Sequence, residues 1–320
     1  MRTFLQIRRA VERAAIDLNA SWGKPARHLV RWVIPALLLA LLGYGLTRVG
    51  WERIFAARPA SALFYLVLLL PFFVQPIADL FIYRNLLGTE GALPLTVFLR
   101  KRYMNSIMLD YSGEVYFFFW AKKNLNLKKG VLLHAVKDSN VLSASAGLVM
   151  VWLMFLVLVA GHFMKMPAFA HGSMWNIFFI GSLPLVLGLG LFAGGRKVTA
   201  LSRADISATF AIHLLRCILT LALEFWIWRL SGALPTTALC LQFVALRLLV
   251  TRLPMVPNKD LIFVGVGIAA AGFMDVSAPK VAAVLVLMTA AGLVEELLLV
   301  GLPWFLEQFQ ARRALDPAAP

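Results

Sequence analysis

Residues 100–129 read RKRYMNSIMLDYSGEVYFFFWAKKNLNLKK: about twenty mostly apolar residues with Asp110 and Glu114 in the middle and a basic cluster at each end. Lysine and arginine collect on the cytoplasmic side of short membrane loops, so a segment that is basic at both flanks enters the bilayer and returns to the same face. The sequence therefore predicts a re-entrant hairpin. Irregular backbone and ionised side chains are tolerated at membrane depth only where protein buries them or water reaches them, so such a hairpin implies a cavity walled by the rest of the chain.

The composition supports a membrane protein. Of 320 residues, 61% are hydrophobic and 15% charged, and the mean hydropathy is +0.80, more apolar surface than a soluble domain of this size can hide. The 31 basic and 16 acidic residues leave a net charge of +15, but the bases sit mostly between apolar spans. That pattern points to membrane topology and lipid headgroups and away from nucleic acid. Cys217 and Cys240 lie within apolar segments, so no disulfide framework is predicted and no cofactor is implied.

Working outward from the hairpin, residues 1–31 carry seven bases before any long apolar run, with Phe4, Ile7 and Val11 at helical spacing. They read as a cytoplasmic basic lead-in, either amphipathic helix or extended tail. Full spans are expected at residues 32–48, 60–83, 131–162, 174–193, 206–230 and 281–306, with residues 307–320 a cytoplasmic tail. The second span holds Pro71, Pro76 and Asp79; Asp79 reads as a snorkelling group or a partner of Arg84. In the third, His134, Asp138 and Ser145 share a stripe that can face the hairpin. In the fifth, Thr209, His213, Arg216, Thr220 and Glu224 fall within an arc of about 80 degrees, too narrow for lipid-facing snorkelling. That face either lines a substrate cavity or holds an internal ion pair, Arg216 with Glu224 or with a carboxylate elsewhere.

A second irregular stretch follows. The run at 236–253 carries Arg247 and is broken by PMVPNKDL; the piece at 261–273 is too short to cross about 30 Å of hydrocarbon. Together they predict a second hairpin, entered from the opposite side. The expected fold is thus an all-α polytopic membrane protein with about six full spans and two re-entrant hairpins, arranged as an inverted repeat of a half at about 32–162 and a half at about 174–306. LDYSGEVYFF beside LPMVPNKDLIFVG is a weak internal echo of that repeat.

These stretches resemble the membrane domain of the lysylphosphatidylglycerol synthase and flippase-like family of integral membrane proteins. On that resemblance Gly113 and Glu114 stand at the family's Gly-Glu turn, Asp138 at an aspartate on the next helix, and Leu253, Pro254 and Pro257 at the second turn. Asp110-Tyr111-Ser112 replaces the usual proline and glycine, Phe117 or its neighbour stands where an arginine often follows, and Asn258, Lys259 and Asp260 replace glycines. These departures bear on the substrate more than on the architecture. The resemblance implies movement of a polar-headed lipid between leaflets; with no aminoacyl-transfer domain in the sequence, synthesis of lysyl lipid is not expected.

The expected cavity residues are accordingly Asp110, Gly113, Glu114, His134, Asp138, His213, Arg216, Glu224, Arg247, Pro254, Pro257, Lys259 and Asp260. Arginine suits bidentate contact with phosphate and lysine a point charge, while the carboxylates can balance them, pair with a cationic headgroup or carry a proton. The partners implied are membrane lipids, with a homo-oligomer possible and the bacterial cytoplasmic membrane the expected site, both termini inside. Two other classes stay open. An intramembrane lipid-modifying enzyme would need a nucleophile or metal motif, and the chain shows no Asp-Asp-x-x-Asp, His-Glu-x-x-His, phosphate loop or Gly-x-Ser-x-Gly. His134 and Asp138 supply two ligands at most, so neither a catalytic residue nor a metal site is assigned. A non-transporting scaffold subunit would pair its buried charges with one another and leave no cavity.

Overall fold

A computed structural model describes residues 43–44, 46–88, 93–107, 111–163, 201–252 and 259–315, without the side chains of 107 and 311–315. The expected span at 174–193, most of that at 32–48, the lead-in at 1–31, and Asp110, Pro254 and Pro257 lie outside the described residues. Within them, all regular structure is helical. The elements are α1 (Trp51–Ala56), α2 (Ala62–Leu69), α3 (Pro71–Leu87), α4 (Leu95–Ile107), α5 (Ser112–Asn124) and α6 (Lys129–Ala160). They are followed by α7 (Arg203–Ser231), α8 (Thr237–Thr251), α9 (Lys259–Phe273), α10 (Ala278–Glu295), a π-helical turn (Glu296–Gly301) and α11 (Leu302–Leu315).

Four helices are long and apolar enough to cross a bilayer: Ala62–Leu87, Lys129–Ala160, Arg203–Ser231 and Ala278–Gln310. They mark the chain as an integral membrane protein, and they correspond to four of the six expected spans. Only 28% of the most apolar window of α7 is buried inside the protein, and its outward positions are large apolar groups such as Leu215, Leu219 and Trp226. The apolar exterior and polar interior suit lipid as the surrounding solvent. Proline marks the irregularities of the first long helix. Pro71 starts α3 directly after Leu70, where the bonding shortens to Leu70 N–H to Val67 C=O, and the buried Pro76 sits inside α3.

The remaining helices are short and come in two pairs. α4 and α5 have 13 residues each, about 20 Å, and pack against each other; α8 and α9 have 15 each and do the same. Neither member of a pair is long enough to span the hydrocarbon. The chain reverses within each pair: Met104 meets Ser112 and Lys101 meets Glu114 in the first, and Arg247 meets Asp260 in the second.

Apolar burial alone holds helices together poorly when lipid is as apolar as leucine, so close packing and internal polar contacts carry the association. α7 is the central element, touching α2, α3, α6 and α8. One core gathers α3, α4, α5 and the start of α6 around Tyr83, Phe98 and Phe117, whose ring centroids lie 4.2 to 5.7 Å apart. A second gathers α7 to α10 around Trp228, Phe243 and Phe263, with Trp228 and Phe243 centred 4.8 Å apart.

Candidate functional site

The break between α4 and α5 shows how a helix end is satisfied inside the protein. The first N–H groups of α5 have no partner in their own helix, and its N-cap Tyr111 supplies no side-chain bond. Asn105, on α4, does so instead: its Oδ1 accepts from the Gly113 N–H at 2.6 Å, and its Nδ2 donates to Glu114 Oε2 at 3.1 Å. In return Ser112 Oγ donates to the Met104 carbonyl in the last turns of α4. Gly113 permits the approach, because a Cβ there would collide with the Lys101 carbonyl and the Asn105 side chain.

Glu114 thus sits in the first turn of α5, where the helix dipole favours a negative charge. Its main partner is Lys101. The Lys101 ammonium lies 3.2 Å from Glu114 Oε1 and 2.7 Å from Asp79 Oδ2 of α3, and its side chain is only 4% exposed. The sequence reading treated RKR at 100–102 as a solvent-side flank. In the structure these residues lie inside α4 and Lys101 is the buried centre of an ion triad, with Asp79 as its partner and not Arg84's. Arg84 instead donates to the Leu93 carbonyl. Tyr83, one turn after Asp79, packs its ring 5.4 Å from the ammonium, and its hydroxyl is buried without a hydrogen-bond partner.

A second triad has the same construction. Arg247 of α8 lies 3.5 Å from Glu224 of α7 and 3.0 Å from Asp260 in the first turn of α9. In each triad a long helix gives the first carboxylate, the first short helix gives the base, and the second short helix gives the other carboxylate. The base follows its first carboxylate by 22 residues in one case and 23 in the other, and precedes its second by 13 in both. The aromatic surroundings repeat as well: Tyr83 and Trp228 come four residues after the first carboxylates, and Phe117 and Phe263 three after the second, all four buried. The triads differ in exposure, since the Arg247 side chain is 24% and that of Asp260 62% exposed.

The remaining expected residues divide. On α7, Thr209, His213 and Glu224 are buried and Arg216 and Thr220 half-buried, so the polar arc faces protein. It does not hold an Arg216–Glu224 pair: Glu224 goes to Arg247, and Arg216 donates to Ser143 Oγ of α6 at 3.0 Å. His213 Nε2 lies 3.3 Å from Ser139 Oγ, also on α6. On α6, Asp138 is 1% exposed and Ser145 fully buried, whereas His134 is exposed, so the expected stripe is inward only in part. Lys259 opens α9 half-buried beside Asp260.

Sequence reasoning gives no inward role to Lys101 or Arg102; it reads Asp79 as a snorkelling group or a partner of Arg84, Glu296, which shares a face with Thr289, as able to line the cavity, and Glu295 as an interface residue. Ser106 Oγ donates to Glu296 Oε2 at 2.7 Å, and both glutamates are 8% exposed where the long helix loosens into its π turn. Arg102 stacks its guanidinium 4.9 Å from the Phe72 ring. π turns inside α-helices often occur at functional positions, and this one faces α4 beside the first triad. Among the described residues no three His, Cys, Asp or Glu side chains are arranged to hold a metal ion. We found no family model that matches the chain, nor any curated protein or solved structure similar to it.

Proposed function

We propose that this protein moves a polar-headed lipid between the leaflets of a bilayer, with the two short-helix pairs acting as re-entrant hairpins of an inverted repeat. The observation that carries the reading is the repeated triad at the base of the two helix breaks. A base that bridges two carboxylates is costly at membrane depth, and charges of this kind mark substrate or ion pathways by default. Its recurrence at matched spacing on matched elements argues for one device built twice, as in transporters whose halves meet around a central site. The resemblance of the Gly113-Glu114 turn to the lysylphosphatidylglycerol synthase and flippase-like family points the same way. A polar headgroup needs partners at each depth, and the triads, the Ser139–His213 contact and the arginines of α7 and α8 offer them between the helices, while acyl chains stay in lipid.

The test is leaflet exchange of fluorescent phospholipids in proteoliposomes, with several headgroups and a dithionite quench, with and without a pH gradient. Wild-type protein is expected to accelerate exchange in a headgroup-dependent way, and Glu114→Gln to abolish it while remaining inserted and monodisperse. Absence of acceleration for every headgroup under both conditions would remove the proposal and favour a scaffold whose buried charges only pair with one another.

A further inference from the structure

Two arginines against α6 stand apart from the triads. Among the described residues, neither Arg216 nor Arg252 has a carboxylate within ion-pair distance. Arg216 is held by Ser143 through one Nη, and its Nε is buried without a hydrogen-bond partner. Arg252 is the C-cap of α8, at the break of the second short-helix pair, and is exposed. Its guanidinium lies against α6 at Gly147, so close that a Cβ on that glycine would overlap Nη1 and Cζ.

Their depth makes the arrangement unusual. Arg216 is the fourteenth of 29 residues in α7, and Ser143 and Gly147 are the fifteenth and nineteenth of 32 in α6, half way along both spans. Ser143 and Gly147, at i and i+4, form a small-residue step that brings both guanidinium groups to one face of α6. Two like charges brought to one face of a membrane-spanning helix repel, and an anion held by both relieves that repulsion. Guanidinium forks match the tetrahedral oxygens of phosphate, and the forked donors can each take two of them.

We propose that Arg216 and Arg252 together bind one phosphate group, carried by a lipid headgroup or taken as the free anion, at the step formed by Ser143 and Gly147. The lipid form rests on the translocation reading above. The site also revises the residues expected to meet phosphate: Arg247 is already committed to Glu224 and Asp260, and Arg252 takes its place.

The experiment is calorimetric titration of the purified full chain in detergent with three probes: short-chain phosphatidylglycerol, short-chain diacylglycerol and inorganic phosphate. Phosphatidylglycerol is expected to bind and diacylglycerol not. Arg216→Gln and Arg252→Gln should each weaken binding about tenfold or more, the loss of at least one charge-assisted hydrogen bond. Gly147→Ala should weaken it too, by displacing Arg252 without removing a charge. Arg216→Lys and Arg252→Lys keep the charge and guard against variants that fail to fold; each should bind better than its glutamine counterpart. Binding of inorganic phosphate alone, lost in both glutamine variants, upholds the site with the free anion as ligand. Binding unchanged in both glutamine variants, equal binding of diacylglycerol, or no binding of any probe overturns it. Phosphate binding without leaflet exchange would remove translocation and leave this site standing, and exchange with arginine-independent binding would do the reverse.

Discussion

Lys101 is the side chain on which the first half turns. Its ammonium has two carboxylates within 3.2 Å and almost no solvent. Breaking a buried pair from one side leaves uncompensated charge, at a cost of about 3–5 kcal/mol. Lys101→Met should therefore lower stability in detergent by that order, read as an earlier thermal unfolding transition. Neutralising all three groups together, with Asp79→Asn and Glu114→Gln added, should recover most of the loss; no recovery would mean that Lys101 matters for packing and not for charge. Arg247→Met should cost less, because Asp260 is open to solvent and can remain charged without a partner. At this scale the sequence was half legible. Glu114 and Asp260 could be singled out because each sits beside a helix-breaking cluster in an apolar run. Lys101 could not be told from its neighbours Arg100 and Arg102, since a run of three bases looks like a flank whichever one turns inward. The signal available was the recurring 13-residue step from base to carboxylate.

The α4–α5 pair is where the sequence was most informative. Two arms too short to cross, separated by DYSGE, pointed to a chain reversal, and α4 and α5 do turn back on each other. Its extent was less readable: α4 starts at Leu95, five residues before the expected boundary, because LTVFL continues the helix into RKR. Nor could spacing reveal that Asn105 caps the opposite helix, since that bond depends on how closely the two arms cross. Gly113 sets that crossing. Gly113→Ala should force α5 away from Lys101 and Asn105, with a loss of about 1–3 kcal/mol or more, the usual cost of overpacking a tight contact. Gly265→Ala, in the middle of α9 with open space around it, should be neutral or gain up to about 1 kcal/mol. The two variants are compared by thermal unfolding. A Gly113→Ala protein as stable as wild type would show that the arms are free to separate, and the break would lose its rigidity.

For the whole molecule, parity decides whether the halves are inverted. From the end of α5 the chain crosses with α6, is expected to return through residues 174–193, and crosses again with α7 before α8 begins. Three crossings place the open ends of the two hairpins on opposite faces; two would place them on the same face. The equal spacing of the triads does not distinguish these cases, because it repeats in either arrangement. Single cysteines at Thr96 and Lys123, at the open end of α4–α5, and at Thr237 and Phe273, at that of α8–α9, separate the possibilities; all four positions are exposed. With both native cysteines replaced and a membrane-impermeant maleimide applied to sealed vesicles of known orientation, Thr96→Cys and Lys123→Cys should label from one face and Thr237→Cys and Phe273→Cys from the other. Labelling of Thr96→Cys and Lys123→Cys from opposite faces would turn the first pair into a span. Agreement within each pair, but with both pairs on one face, would keep the hairpins, remove the crossing at 174–193 and end the inverted-repeat proposal.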